Sequence, residues 1–74
     1  NPPLTTLNVR LPSGTMGHGK LVVFDGSGIC AVEKRINLTP SDLVHLNVSG
    51  LQKGNYVVMV FLDNKKYSAK FTKE

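Results

Sequence analysis

The hydrophobic positions of the chain follow a two-residue period rather than a helical one. In the first such segment, Leu7, Val9 and Leu11 share one face. Side chains alternate between the two faces of a β-strand, so this period predicts strands. The pattern predicts six of them, over residues 7–11, 20–25, 29–38, 43–49, 56–63 and 66–72.

Turn-forming residues separate these segments. DGSG at residues 25–28 predicts a hairpin between the second and third strands. DNK at residues 63–65 predicts another between the last two, with Asn64 suited to a positive φ. Residues 12–19 hold three glycines and predict a loop, and residues 39–44 allow one helical turn at most. Strands at this spacing predict an all-β, immunoglobulin-like Greek-key sandwich of about six or seven antiparallel strands.

The length of 74 residues predicts one small domain. Residues 1–3, NPP, cannot extend a sheet ladder, so we interpret them as the exit of a linker and residues 4–74 as the domain. Residue 1 is not methionine and no signal peptide is recognisable, so we interpret the chain as a segment of a longer or processed protein. No apolar run approaches the roughly 20 residues of a membrane span.

The stretch GLQKGNYVVMV at residues 50–60 predicts a tyrosine corner. In Greek-key sandwiches, a tyrosine near the start of a strand that follows a crossing between sheets bonds its hydroxyl to backbone a few residues upstream. We expect Leu51 to fill the core beneath the crossing and Gly54 to adopt a backbone conformation that a Cβ would penalise. Tyr56 would bury its ring and satisfy its hydroxyl against the loop. The motif is structural in itself.

The strand after this corner is apolar on both faces. Its two faces carry Tyr56, Val58, Val60 and Leu62 on one side and Val57, Met59 and Phe61 on the other. A two-layer sandwich leaves one face of each sheet in water, so the presence of apolar side chains on both faces of this strand requires an explanation. Two alternatives stay open: the strand is central and lies under long loops, or Met59 and Phe61 belong to an exposed patch that meets a partner.

The net charge of +4 is mild, but its placement is uneven. Residues 64–73 contain no acid and four lysines: Lys65, Lys66, Lys70 and Lys73. They predict a small basic strip on the last strand or its flank, with a solvated edge protected by lysines as the alternative. The strip has no arginine, and Tyr67 and Phe71 are assigned to the core, so we do not expect nucleic-acid binding.

No group of residues in the chain predicts catalysis or metal binding. His18 and His45 lie in different segments, without a cysteine or acidic pair at ligand spacing. The DGSG turn lacks the lysine and serine or threonine of a phosphate loop. We therefore expect neither an enzyme nor a cofactor. Cys30 is the one cysteine; parity points it inward, so we expect a small core residue, with intermolecular pairing as the alternative.

Taken in order, these features resemble the C-terminal sorting domain of proteins exported by the type IX (Por) secretion system of certain Gram-negative bacteria. The matching stretches are NP at the start, LNV, LVVFDGSG, INL, DLVHLNVSGLQKGNYVVMV and KKYSAKFTKE. The combination of Gly-x-Tyr with a lysine-bearing last strand favours this family. By position, Gly54 and Tyr56 correspond to its Gly-x-Tyr motif. Its terminal lysine motif corresponds to Lys65, Lys66 and Lys70.

The resemblance implies that the domain is a secretion signal rather than a catalyst. It implies recognition in the periplasm, passage across the outer membrane to the cell surface or the extracellular space, and removal by a sortase-like cysteine peptidase. The cargo would be joined to an anionic lipopolysaccharide, with cleavage before residue 1. The implied partners are the secretion translocon and that peptidase.

The basic strip beside Met59 and Phe61 adds a hypothesis about recognition. Charge steering and apolar burial would then meet on the terminal hairpin, which would be the docking face. The residues of this hypothesis are Gly54, Tyr56, Met59, Phe61, Lys65, Lys66, Lys70 and Lys73. A free strand edge also leaves a homodimer as an alternative assembly.

Two other functions are compatible with such a sandwich. A fibronectin-type or immunoglobulin-like structural or adhesion module of a bacterial surface protein or hydrolase would have more domain after Glu74, whereas a sorting signal is expected to end there. A carbohydrate-binding module would usually present tryptophan or tyrosine on a flat face. The sequence has no tryptophan, and both tyrosines are assigned to the core.

Overall fold

The computed structural model describes residues 5–12, 14–39 and 43–74. These residues form six antiparallel strands and no helix: β1 (Thr6–Val9), β2 (Gly17–Phe24), β3 (Cys30–Leu38), β4 (Val44–Asn47), β5 (Gly54–Leu62) and β6 (Lys65–Lys73). The predicted all-β class and the six strands are confirmed. The linker expected at residues 1–3 lies outside the described residues, and so do residues 40–42 of the expected helical turn.

The strands form two sheets of different size. β1 pairs with β4, and the other sheet has the order β3-β2-β5-β6. In immunoglobulin sandwiches, strand B neighbours strand E in one sheet, while C, F and G form the other and can be joined by C′. The order seen here corresponds to B–E and C′–C–F–G. β5 is therefore strand F, which receives the chain from the other sheet.

The core lies between the two sheets. In β4, Val44 and Leu46 are buried while His45 and Asn47 are exposed, so the two-residue period of the sequence is the alternation between core and solvent. The largest side chains with almost no exposure are Leu21, Val23, Val48 and Val60. They come from β2, β5 and the segment after β4, and Val44 and Leu46 of β4 belong to the same cluster, so both sheets contribute to one core.

β2 begins earlier than the sequence predicts. The expected loop over residues 12–19 ends at Met16, and residues 17–19 pair with β3. Gly19 also pairs with Leu62 of β5, where an added Cβ would overlap the backbone oxygen of Phe61. Glycine at this position permits a close approach of two strands rather than a turn.

The DGSG segment forms the expected hairpin turn between β2 and β3. Oδ1 of Asp25 accepts hydrogen bonds from the backbone N–H groups of Ser27 and Ile29, at 2.9 and 3.0 Å. Gly28 has a φ of +83°, a conformation that glycine adopts without steric cost. A side-chain carboxylate and one glycine thus define this turn.

The hairpin between β5 and β6 is tighter than its sequence indicates. Leu62 pairs with Lys65, which leaves only two residues in the turn. The positive φ falls on Asp63, at +51°, and not on Asn64, so the prediction for Asn64 is wrong. Aspartate shares with asparagine the ability to adopt this conformation, and the register of the strands decides which of the two does so.

Cys30 is exposed, and its predicted place in the core is wrong. The ladder between β2 and β3 joins Val23 to Val32 and then Phe24 to Cys30, so it skips Ala31. An extra residue in one strand is a β-bulge, and it shifts the alternation of side chains on either side. Cys30 is two residues from Val32 and was therefore expected on the same, inward face, but the bulge between them places it on the other face.

Candidate functional site

The crossing from β4 to β5 carries the geometry of a tyrosine corner. The hydroxyl of Tyr56 donates a hydrogen bond to the backbone oxygen of Gln52 at 2.6 Å, and the ring is buried. Gly54 has a φ of +152°, which L side chains rarely adopt, and Leu51 packs against the core. The Tyr56 ring also stacks on Phe71 of β6, with centroids 5.2 Å apart. This corner joins the last hairpin to the crossing.

A second side chain, Lys73, holds the same crossing. Its Nζ donates hydrogen bonds to the backbone oxygens of Val48 at 2.5 Å and Leu51 at 3.0 Å. Only 6% of Lys73 is exposed. Residues 48–52 are therefore held from β5 by Tyr56 and from β6 by Lys73.

Lys73 does not belong to an exposed basic strip, contrary to the sequence-based expectation. It occupies the face of β6 that carries Tyr67 and Phe71, both of which pack against the core. Strand parity was the signal for this placement, because Lys73 is an even number of residues from Phe71. The number of lysines in the segment obscured that signal.

An apolar stripe runs along the outer face of the four-stranded sheet. It consists of Val22 and Phe24 of β2 and Val57, Met59 and Phe61 of β5. β2 and β5 are the two central strands, and their pairing places Val22 beside Met59 and Phe24 beside Val57. Val22 is buried and the other four are half-buried. β5 is thus a central strand, as the first alternative of the sequence analysis required. Met59 and Phe61, which the second alternative assigned to an exposed patch, are half-buried.

Two lysines of β6 flank this stripe. Lys66 pairs with Phe61 and Lys70 pairs with Val57. Paired residues of antiparallel strands project from the same face, so both lysines lie beside apolar side chains, and both are exposed. Lys65 has the opposite parity; it is exposed on the other face and shares a surface depression with residues 14–16.

The eight residues of the recognition hypothesis therefore separate into two groups. Four share the outer face of the β5–β6 hairpin and are called the docking face below: Met59, Phe61, Lys66 and Lys70. Gly54, Tyr56 and Lys73 lie at the crossing between the sheets, and Lys65 lies beyond the turn on the opposite face. The structure therefore brings apolar and basic residues together on one face for only four of the eight predicted residues.

Lys20 of β2 borders the stripe on its other side, and the sequence analysis missed it. Its Nζ lies 5.9 Å from the centroid of the Phe61 ring, within the range of a cation–π contact. The same Nζ is 3.6 Å from Oε1 of Glu33 on β3. Lys20 shares the parity of Val22 and Phe24 in β2, which was the available signal. Phe61 is consequently bordered by a lysine on each side.

The remaining polar side chains of the described residues do not form a metal-binding cluster. Nδ1 of His45 lies 2.6 Å from Oδ1 of Asn8, so this histidine bridges the small sheet. Within the described residues, no three His, Cys, Asp or Glu side chains are grouped so that they could hold a metal ion. The same part of the chain has no helix long and apolar enough to cross a membrane.

The strand order and the corner define the class of the protein as a small immunoglobulin-like β-sandwich module. A family model described as the secretion system C-terminal sorting domain matches residues 1–74. The chain therefore belongs to the family of type IX secretion C-terminal sorting domains. Comparisons with curated proteins and with solved structures gave no match.

Membership in this family gives the chain its general role. It is a sorting signal of the type IX secretion system, and the family is generally non-catalytic. The protein that carries it is a secreted or cell-surface cargo, and the domain interacts with the secretion system.

Proposed function

We propose that the domain directs its cargo across the outer membrane by binding the secretion translocon through the docking face. After transport, a sortase-like cysteine peptidase removes the domain as the cargo is anchored at the cell surface. The single observation that carries the proposal is the register of β5 and β6, which places Lys66 opposite Phe61 and Ser68 opposite Met59. One surface thereby offers apolar anchors and positive charge.

The physical roles of the two residue types differ. Met59 and Phe61 are half-buried in the free domain, so a partner can remove their remaining apolar surface from water. Lys66 and Lys70 are exposed, and charges at the rim of an interface act mainly on the association rate and on partner choice. A small surface of this kind suits a transient complex, which a transported domain must leave again.

The other recognition candidates have supporting roles in this proposal. Gly54, Tyr56 and Lys73 fix the crossing that positions the start of β5 and the end of β6. They preserve the shape of the docking face without touching the partner. Lys65 lies on the opposite face and contributes only to the overall positive charge of the hairpin.

The test is a reporter exported from the periplasm with this 74-residue chain fused at its C-terminus, in a host that has the secretion system. We expect the unmodified fusion to reach the cell surface and to lose the domain. The double substitution Lys66→Ser and Lys70→Ser should leave the reporter in the periplasm, because it removes the charge of the docking face.

The matched control is Arg10→Ser with Lys53→Ser, which removes two exposed positive charges elsewhere. This control should be displayed normally. Circular dichroism and a urea midpoint on each purified chain establish that both variants are folded. Normal surface display of the Lys66/Lys70 variant would contradict recognition by these lysines.

A further inference from the structure

The free edge of β6 offers a more specific mode of binding than the docking face alone. We propose that β6 accepts an extended, acidic segment of a partner protein as an added strand of the four-stranded sheet. This inference rests on the proposed function, since the added strand would lie beside the docking face. In such β-strand addition, backbone hydrogen bonds supply affinity and the alternate side chains supply specificity.

β6 has the geometry of a template for another strand. It ends the order β3-β2-β5-β6, and its nine residues pair with β5 without a register shift, from Leu62–Lys65 to Gly54–Lys73. Among the described residues, the backbone hydrogen bonds made outside the strand ladders do not involve β6. The described part of the chain therefore makes no backbone hydrogen bond to the outer edge of this strand, and residues 9–12 only border a small depression beside Tyr67, Ser68 and Ala69.

The hairpin register indicates which backbone groups point outward. The two-residue turn closes on the pair Leu62 and Lys65, so Lys65 exchanges backbone hydrogen bonds with β5. Bonded and non-bonded pairs alternate along an antiparallel ladder. The residues with outward N–H and C=O groups are consequently Lys66, Ser68, Lys70 and Thr72. These same residues carry their side chains on the outer face of the sheet.

The opposite edge of the same sheet, β3, is much less suited to pairing. Its ladder with β2 skips Ala31, and a bulge bends a strand and interrupts its regular edge. On β3, Glu33 and Arg35 share the outer face, so this edge offers an acidic strand no net positive charge on that face, whereas β6 offers two lysines. β6 has no bulge, no proline and no acid. The contrast assigns strand addition to the β6 edge.

The positive charges of β6 determine which kind of strand can be added to its edge. An added strand places its outer-face side chains beside Lys66 and Lys70, where opposite charges are favourable and like charges are not. A second copy of this chain, adding its own β6, would bring its lysines against Lys66 and Lys70. Lysines on an edge thus prevent self-association while remaining compatible with a strand that has Glu or Asp at alternate positions.

The direct test uses two blocked nine-residue peptides, one alternating glutamate with valine and one alternating lysine with valine. Amide hydrogen exchange of the 74-residue chain is followed by NMR with each peptide. The glutamate peptide should slow exchange at Lys66, Ser68, Lys70 and Thr72 by at least tenfold, and the lysine peptide should not. Amides at the β3 edge should be unaffected.

A backbone substitution separates strand addition from side-chain attraction. Ser68→Pro removes one outward N–H while no hydrogen bond to β5 depends on that group. It should weaken binding of the glutamate peptide at least tenfold. Ser68→Ala keeps the N–H and is the matched control, with affinity expected to be unchanged. Should Ser68→Pro fail to fold, Lys66→Glu with Lys70→Glu should reverse the preference toward the lysine peptide.

Three results would overturn the proposal: equal affinity for both peptides, binding without protection of the four β6 amides, or a dimer of the free chain that already protects them. Export assays separate this inference from the proposed function. If Lys66→Ser with Lys70→Ser blocks display while folded Ser68→Pro does not, the docking face stands and strand addition fails. If folded Ser68→Pro blocks display and Ser68→Ala does not, the added strand is part of sorting.

Discussion

The two ends of β6 use the same residue type in opposite ways. At its C-terminal end, Lys73 points between the sheets and donates hydrogen bonds to the backbone oxygens of Val48 and Leu51. Nearer the turn, Lys66 and Lys70 point away from the core beside an apolar stripe. Lys73 has the opposite strand parity to Lys66 and Lys70 and lies beside the crossing, so a lysine-rich strand is not one surface. Its inward lysine stabilises the fold, and its outward lysines are available for recognition.

The largest expected effect comes from the inward lysine. Lys73→Met keeps a long apolar stem but leaves two carbonyl oxygens at the crossing without their donor. Hydrogen bonds to charged groups contribute about 1.5–3 kcal/mol, so we expect the free energy of unfolding to fall by about that amount. Urea denaturation measures it. Lys70→Met is the matched control, and an equal loss in both variants would contradict the division between the two ends.

A smaller effect is expected at the other side chain that holds the crossing. Tyr56→Phe retains the ring and its stacking on Phe71 but removes the hydrogen bond to Gln52. The free energy of unfolding should fall by about 1 kcal/mol. An unchanged urea midpoint would show that this hydroxyl does not stabilise the crossing.

The two side chains should also be coupled. Tyr56 and Lys73 bind different carbonyl groups of the same short segment, residues 48–52, so loss of one loosens the target of the other. In a double-mutant cycle with Tyr56→Phe and Lys73→Met, we expect a departure from additivity of at least about 0.5 kcal/mol. Strict additivity would mean that the two ends of the segment are held independently.

The smallest expected effect on stability belongs to the outward lysines. Exposed substitutions away from caps and cores usually change the free energy of unfolding by less than about 0.5 kcal/mol. Lys66→Ser with Lys70→Ser should therefore leave the urea midpoint nearly unchanged while it blocks surface display. A large loss of stability in this variant would show that Lys66 and Lys70 stabilise the fold, as Lys73 does. The variant could then no longer test recognition.

The sequence was sufficient for the six strands and the DGSG turn, whereas it left the central position of β5 as one of two alternatives. These features depend on local alternation and turn chemistry, which the chain expresses directly. Two failures had different causes: parity holds only while a ladder is regular, and a glycine does not always mark a turn. The skipped residue Ala31 exposes Cys30, and the pairing of Gly19 with two neighbouring strands turns an expected loop into strand.

The docking face was only partly predictable, because a face depends on register between strands. Met59 and Phe61 follow from alternation within β5. Their neighbours Lys66 and Lys70 follow only once the turn is known to contain two residues. Lys20 required the pairing of β2 with β5, which are far apart in the chain. No local pattern contains that information.

The bulge in β3 also makes the protein convenient to follow during export. Cys30 is the one cysteine of the chain, and the skipped residue beside it leaves its thiol exposed. A maleimide fluorophore could be attached there without any substitution, on the strand farthest from the β6 edge in the same sheet. Transit of the domain could then be timed optically, with the dye placed away from the strand proposed to meet the partner.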